Sequence, residues 1–289
     1  MKKLINTLKA SLLSQYMWSS EFFESRFLTA IQSSEKDLKR SLNNQGIKYI
    51  DDSEWQNDAL IYFKKNKLSM EEEFYSELSK KIGQEKVDIL CIAISKQWYK
   101  GKKTSKSPEL LAVKKAINAY LSQINSGINL SDLIRKSEVE PVDSIFTAMD
   151  IAKILTLNDQ LTYRHIEAWK ETHPNFSDLS NDWIFLRRGL SLNKLINTTL
   201  PYKENDYINS YSLAFSITEK FSQVRKNNIS AIINGNIDLF KGRILFFSPF
   251  IPEMDIGQLE FGIIPSENFL SIKQQGLYGN IYEYIIDNK

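Results

Sequence analysis

Pro141-Val142-Asp143-Ser144-Ile145-Phe146-Thr147-Ala148-Met149-Asp150-Ile151-Ala152-Lys153-Ile154-Leu155 is the stretch whose reading decides the fold. Ile145, Ala148, Met149, Ala152 and Leu155 recur at helical spacing, which predicts one apolar helix face. Pro141 suits a first helical turn, where its missing N–H costs nothing. Asn158-Asp159 breaks the pattern and offers a cap for a second helix. That helix carries Leu161, Tyr163, His165, Ile166 and Trp169, and Pro174 closes it. A helical hairpin of this kind cannot cover both of its apolar faces, so neighbouring elements must.

The preceding sequence supplies them. Leu4, Ile5, Leu8 and Leu12 form one helical face. Phe22, Phe23, Phe27, Ala30 and Ile31 form another that Gly46 ends. Ser53 with Gln56 and Ser69 with Glu72 each make a capping box, predicting separate helices before and after residue 69. The acidic run Glu71-Glu72-Glu73 then lies in a first turn, where the positive end of the helix dipole favours it. Gly83 divides this helix from the next, Glu85 to Tyr99, whose apolar centre holds Cys91. Ser107-Pro108-Glu109 starts another helix. After Pro174, helices are expected over Trp183–Ile196, about Asn205–Lys226 and Ile229–Phe240.

The pattern changes at Gly242. Arg243-Ile244-Leu245-Phe246-Phe247 reads as a strand, and Pro252, Gly257, Gly262 and Pro265 make the following stretch turn-rich. A second strand is expected near Leu259–Ile264, a short helix from Ser266 to Gln275, and a strand at Ile281–Ile286. The expected architecture is mainly α: a multi-helix antiparallel bundle or irregular helical array over residues 1–241, with a small α+β appendage at 242–289.

Bulk properties bound the function. The chain has 289 residues, 42% hydrophobic and 25% charged, with a formal net charge of +2. That near balance argues against a chain-wide electrostatic mode of nucleic-acid or membrane binding. The single cysteine, Cys91, permits no intramolecular disulfide, and no apolar run reaches the roughly 20 residues that span a bilayer. A cytoplasmic setting is expected.

Chemistry-bearing motifs are scarce. The two histidines, His165 and His173, have no ligand-spaced cysteine or acid partners, so no metal is expected. No glycine-rich phosphate loop and no nucleophile elbow occurs, and neither a cofactor nor a catalytic residue is assigned. Glu253, Asp255 and Glu260 lie in the turn-rich stretch, where functional residues concentrate. One basic-aromatic segment, residues 96–106, holds Trp98, Tyr99, Lys102 and Lys103. Its lysines suit phosphates and its rings suit a base. Arg187-Arg188 repeats the theme in small. Trp98, Tyr99, Lys102, Lys103, His165 and Trp169 are the candidate partner-binding residues, the rings serving as anchors. Two readings follow. The first is a protein-binding protein, such as a bacterial immunity or antitoxin-type inhibitor or adaptor that occludes its partner. The alternative is an effector enzyme directed at nucleic acid or a nucleotide, in the manner of a defence nuclease or toxin.

Overall fold

The computed structural model describes residues 52–99, 108–124, 145–172 and 184–288, except 205, 226, 227, 267, 279 and 280. The helices expected before residue 50, and Lys102 and Lys103, lie outside the described residues. Helix α1 spans Asp52–Ile82 and α2 Gln84–Ile92, which runs on into a π-helical turn, Ala93–Tyr99. Helices α3 (Pro108–Gln123) and α4 (Ala148–Thr172) complete the helical body. Then follow β1 (Phe185–Leu192), β2 (Asn209–Ser212), α5 (Phe215–Ser222), β3 (Ile229–Asn236), β4 (Ile244–Phe247), β5 (Glu260–Ile263), β6 (Leu270–Tyr278) and β7 (Ile281–Asn288).

The seven strands form one mixed sheet in the order β4-β5-β2-β1-β3-β7-β6. β3 and β7 pair in parallel and every other neighbouring pair is antiparallel. This overturns the expectation of a mainly α bundle with a small appendage. The strands at 243–247, 259–264 and 281–286 occur where the sequence predicts them, but they join a sheet that begins at Phe185. Where helices are expected over Trp183–Ile196 and Ile229–Phe240 the chain forms β1 and β3, a 3-10 turn at Ile237–Phe240 following β3, and among the described residues of 205–226 only Phe215–Ser222 is helical. The physical reason is burial on both faces. Residues 230–235 of β3 are all buried, so the strand has no alternation of apolar and polar residues for a period-two reading to find. The short helix expected from Ser266 to Gln275 is not there: Leu270–Tyr278 is β6, on which Leu270 and Ile272 are buried while Ser271 is half-buried and Lys273 exposed, an alternation of period two that the helical reading passed over.

The deciding stretch also folds differently. α4 is one continuous helix, not a hairpin. It starts at Ala148 because Thr147 and Asp150 form a capping box. The Asp150 carboxylate accepts from Thr147 N–H (2.9 Å), and Thr147 Oγ1 accepts from Asp150 N–H (3.1 Å). Asn158, expected as a cap, is wholly buried mid-helix. Its Nδ2 donates to Ile154 O at 3.0 Å and to Leu245 O of β4 at 2.8 Å. The sheet thus gives an acceptor to the amide nitrogen of a residue that sequence alone would place at a break. Of the expected apolar face Ala148 and Leu155 are buried, but Met149 is 64% exposed, and Ile151, Ile154, Leu157 and Leu161 point inward instead. α1 is continuous too, since Ser69 Oγ donates back to Asn66 O instead of capping. Gly83 ends it at φ 92°, a conformation natural to glycine.

Helices and sheet share one core. The Phe63 ring of α1 meets Phe247 of β4 edge-on at 5.0 Å, and Phe247 stacks on Phe261 of β5 at 4.1 Å. Such pairs contribute about 0.5–1.5 kcal/mol beyond their buried area. Lys67 Nζ adds a bond to Ile251 O at 3.2 Å. Cys91 belongs to this core, where burial first, then Asp88 and Glu71, push its thiol up to about 12. Among the described residues no helix is long and apolar enough to cross a membrane.

Candidate functional site

Antiparallel pairing sets side chains directly opposite one another on the same face of a sheet. β1 pairs with β2 through Arg187 opposite Ser212, and β2 pairs with β5 through Ser212 opposite Glu260. Arg187, Ser212 and Glu260 therefore form a lateral row across three adjacent strands. Ser210, two residues before Ser212, shares that face. The row lines a cavity of about 220 Å³.

Glu260 is 5% exposed. Ser210 Oγ donates to its Oε1 at 2.6 Å, and Trp98 Nε1 donates to the same oxygen at 3.1 Å. One donor comes from the sheet and one from the helical body. The backbone before Glu260 is unusual. Asp255 caps a 3-10 turn over Ile256–Gln258, its Oδ1 accepting from Gly257 N–H at 2.9 Å. Leu259 then adopts φ 41°, ψ 50°, a left-handed conformation that is costly for leucine. The surroundings hold it: Leu259 N–H donates to Ile256 O at 2.9 Å, and Leu213 N–H donates to Leu259 O at 3.3 Å. Ser212 Oγ donates to Gln258 O. Strain of this kind, of order 1–3 kcal/mol, is characteristically stored at functional sites. Here it separates Gln258 from Glu260, both of which line the cavity.

Arg187 is 2% exposed, and its Nη1 donates to Phe185 O and Leu213 O, each at 3.4 Å. The next residue, Arg188, is tied to the Asn209 side chain and to Asp206, 3.3 Å away. Burial works against its charge, but Tyr202, Tyr211, Glu204 and Asp206 together hold its guanidinium above the usual range. A buried network braces the far side of β2. Glu204 accepts from Arg243 Nη1 at 2.6 Å, from Tyr211 Oη at 2.9 Å and from Ser266 N–H at 3.0 Å.

Gly189 fixes the remaining wall. A Cβ there would lie 2.0 Å from Thr218 O and 2.9 Å from Ser222 N. Only glycine lets α5 lie directly on β1, and α5 then presents Ile217, Thr218 and Phe221 to the cavity. Phe221 is 51% exposed, an aromatic face held open at the mouth.

The site thus holds a buried carboxylate that accepts from Ser210 and Trp98, a buried arginine in the same row, a side-chain amide two residues before the carboxylate, and an open aromatic ring. Neither histidine nor cysteine lines it. Among the described residues no group of three histidine, cysteine or acidic side chains suits a metal ion.

Of the residues singled out from sequence, Trp98 lines this cavity. Tyr99 lies beside it, its Oη donating to Asp255 Oδ2 at 3.4 Å. His165 lies elsewhere, its Nε2 2.9 Å from Glu73 Oε2 and its ring 5.7 Å from Phe250. Trp169 is 2% exposed, within the core. Sequence reasoning marked Glu260 for its turn-rich setting and Arg187-Arg188 for charge, without joining them. It missed Ser210, Ser212 and Gln258, whose only signal is the strand register. No family model matches the chain, and no curated protein or solved structure shows significant similarity to it.

Proposed function

We propose that this protein cleaves the nicotinamide–ribose bond of NAD and delivers the ADP-ribosyl group to water or to a nucleophilic acceptor. The observation that carries this reading is the row Arg187–Ser212–Glu260, with the Glu260 carboxylate fixed inside a cavity that an aromatic ring borders.

A fixed buried carboxylate suits a reaction that develops positive charge, and glycosidic cleavage passes through an oxocarbenium-like state. An oxygen leaving group would require a second carboxyl group to protonate it. The other acid lining the cavity is Asp206, already engaged by Arg188. A pyridinium leaving group requires no proton, because it departs as a neutral base. Ser210 is a poor candidate for a nucleophile: its hydroxyl is donated to Glu260, and a carboxylate is a weak base for a serine proton. Arg187 brings a permanent cation to the opposite end of the row, suited to the diphosphate or a ribose hydroxyl. Phe221 offers a face on which the nicotinamide ring can stack.

In the reaction the C1′–N bond breaks and its electron pair goes to the ring nitrogen, giving neutral nicotinamide. The positive charge passes to C1′ and the ring oxygen of the ribose, facing Glu260. The acceptor lone pair forms the new bond to C1′, and the acceptor releases its proton to water. No oxidant or reductant is consumed. Of the two readings from sequence, this belongs to the nucleotide-directed effector enzyme. Expectation of an immunity-type inhibitor rested on a large helical body, near-neutral charge and missing motifs, and the cavity adds nothing to it. A single buried cysteine and the absence of any disulfide requirement fit a cytoplasmic setting.

The test is release of nicotinamide from NAD by the purified full-length protein, followed by proton NMR or liquid chromatography. Glu260→Gln is expected to lower the rate about 10²–10³-fold, as removal of a preorganised electrostatic group does elsewhere, with NAD affinity changed little. Failure of the wild-type protein to release nicotinamide, or to bind NAD saturably in calorimetry, would refute the proposal.

A further inference from the structure

The carboxylate that this mechanism depends on is not held by the sheet alone. Ser210 and Trp98 donate to the same oxygen, Oε1 of Glu260. Trp98 sits on the π-helical turn Ala93–Tyr99, which interrupts the regular helix after Ile92. Local widening of this kind is frequent at functional sites, because it changes the direction in which side chains leave the helix. The turn is fastened on two sides. Toward α3, Gln97 accepts from Leu110 N–H at 2.8 Å and donates to Glu109. Toward the segment before β5, Tyr99 Oη donates to Asp255 at 3.4 Å, and Lys96 Nζ lies 3.7 Å from Glu253. The helical body and the Glu260 segment therefore hold each other with Trp98 at the centre.

We propose that Trp98 is a positioning residue for Glu260: its indole N–H, with the Ser210 hydroxyl, fixes the carboxylate in the orientation that stabilises the charge developing on ribose. This inference rests on the NAD reading of the site. Two donors on one oxygen restrict rotation of the carboxylate, and the indole ring also lines the cavity. A preorganised group does not reorient as the reaction proceeds, so losing either of these donors lowers turnover more than it lowers binding.

The experiment compares wild type with Trp98→Phe, Trp98→His, Tyr99→Phe, Ser210→Ala and the double variant Trp98→Phe/Ser210→Ala. Nicotinamide release is measured against NAD concentration. Every kcat is expressed per NAD-binding site titrated by calorimetry, so partly unfolded protein is not counted. Trp98→Phe keeps a ring but removes the donor. Its kcat is expected to fall about 10- to 100-fold, the scale of a hydrogen bond to a charged group, with KM within about threefold of wild type. Trp98→His restores a ring N–H and recovers part of the loss. Tyr99→Phe loosens the turn toward Asp255 but keeps the indole donor, so it is expected to lose less turnover than Trp98→Phe. Because both donors act on one oxygen, the effects of Trp98→Phe and Ser210→Ala are expected to be non-additive. Turnover by Trp98→Phe within twofold of wild type overturns the inference, as do equal kcat values for the Phe and His variants or simple additivity of the two donors. Wild-type protein that releases no nicotinamide overturns the NAD reading together with this inference. Normal wild-type release with unaffected Trp98→Phe overturns the inference alone.

Discussion

Gly189→Ala tests whether the α5 wall is fitted to β1 as closely as the geometry implies. The new methyl group would meet Thr218 O at 2.0 Å and Ser222 N at 2.9 Å. Both obstacles are backbone atoms, so no rotamer change relieves them. To restore ordinary contact, α5 and β1 must separate by about 1.4 Å, an overpacking strain of about 1–3 kcal/mol. At roughly 2–4 °C per kcal/mol, a melting temperature lower by about 2–12 °C is expected from calorimetry. The displaced helix carries Thr218 and Phe221, so NAD affinity should weaken about three- to tenfold, the value of a lost aromatic contact of about 0.5–1.5 kcal/mol. Gly83→Ala is the control. Gly83 has φ 92° and open space around it, so alanine there costs about 1 kcal/mol in backbone strain without approaching the site. It should lower the melting temperature and leave NAD affinity unchanged. A Gly189→Ala variant that melts within about 1 °C of wild type and binds NAD normally would refute the reasoning.

Two further perturbations act away from the cavity. Asp159 of α4 accepts from Gly242 N–H, yet burial dominates and raises its carboxyl to about 6 from an ordinary 3.8. The folded protein therefore holds a proton that the unfolded chain has released between those values, and stability falls as pH rises through that window. The difference of about 2 units is worth about 3 kcal/mol at neutral pH. Asp159→Asn should remove this decline, which urea midpoints of both proteins at pH 4.5 and 7.5 would measure; parallel changes in the two would contradict it. Glu204→Ala should cost about 3–5 kcal/mol, because it leaves the buried Arg243 guanidinium without its carboxylate. A loss below about 1 kcal/mol in urea denaturation would show the network to be dispensable.

Much of the helical body was legible. The Gly83 break, the start at Pro108 and the apolar centre around Cys91 all follow from local chemistry. Two expected breaks, at Ser69 and at Asn158-Asp159, are not there. Asn158 in particular places its amide nitrogen on Leu245 O, a carbonyl 87 residues along the chain. The sheet was hidden for a related reason. Residues such as Ile232 and Ile233 are buried on opposite faces of β3, and an apolar run of that length suits a helix as well as a strand. The site depended on the sheet. Arg187, Ser210, Ser212 and Glu260 span 74 residues of sequence and become neighbours only through β1–β2–β5 pairing, so no motif spacing could have joined them.

The parallel pairing of β3 with β7 bears on the order in which the chain folds. β6 precedes β7 in sequence but reaches the sheet through it, since β7 lies between β3 and β6. The β6–β7 hairpin joins sequence neighbours and can form locally within microseconds. Docking of β7 along β3 must close a loop of some 50 residues, a slower search. Until that docking occurs, β3 offers an unpaired apolar edge of the kind that recruits strands from other chains. Aggregation during refolding is thus expected to be most acute before β7 arrives, with the β6–β7 hairpin serving as the cap that ends the exposure.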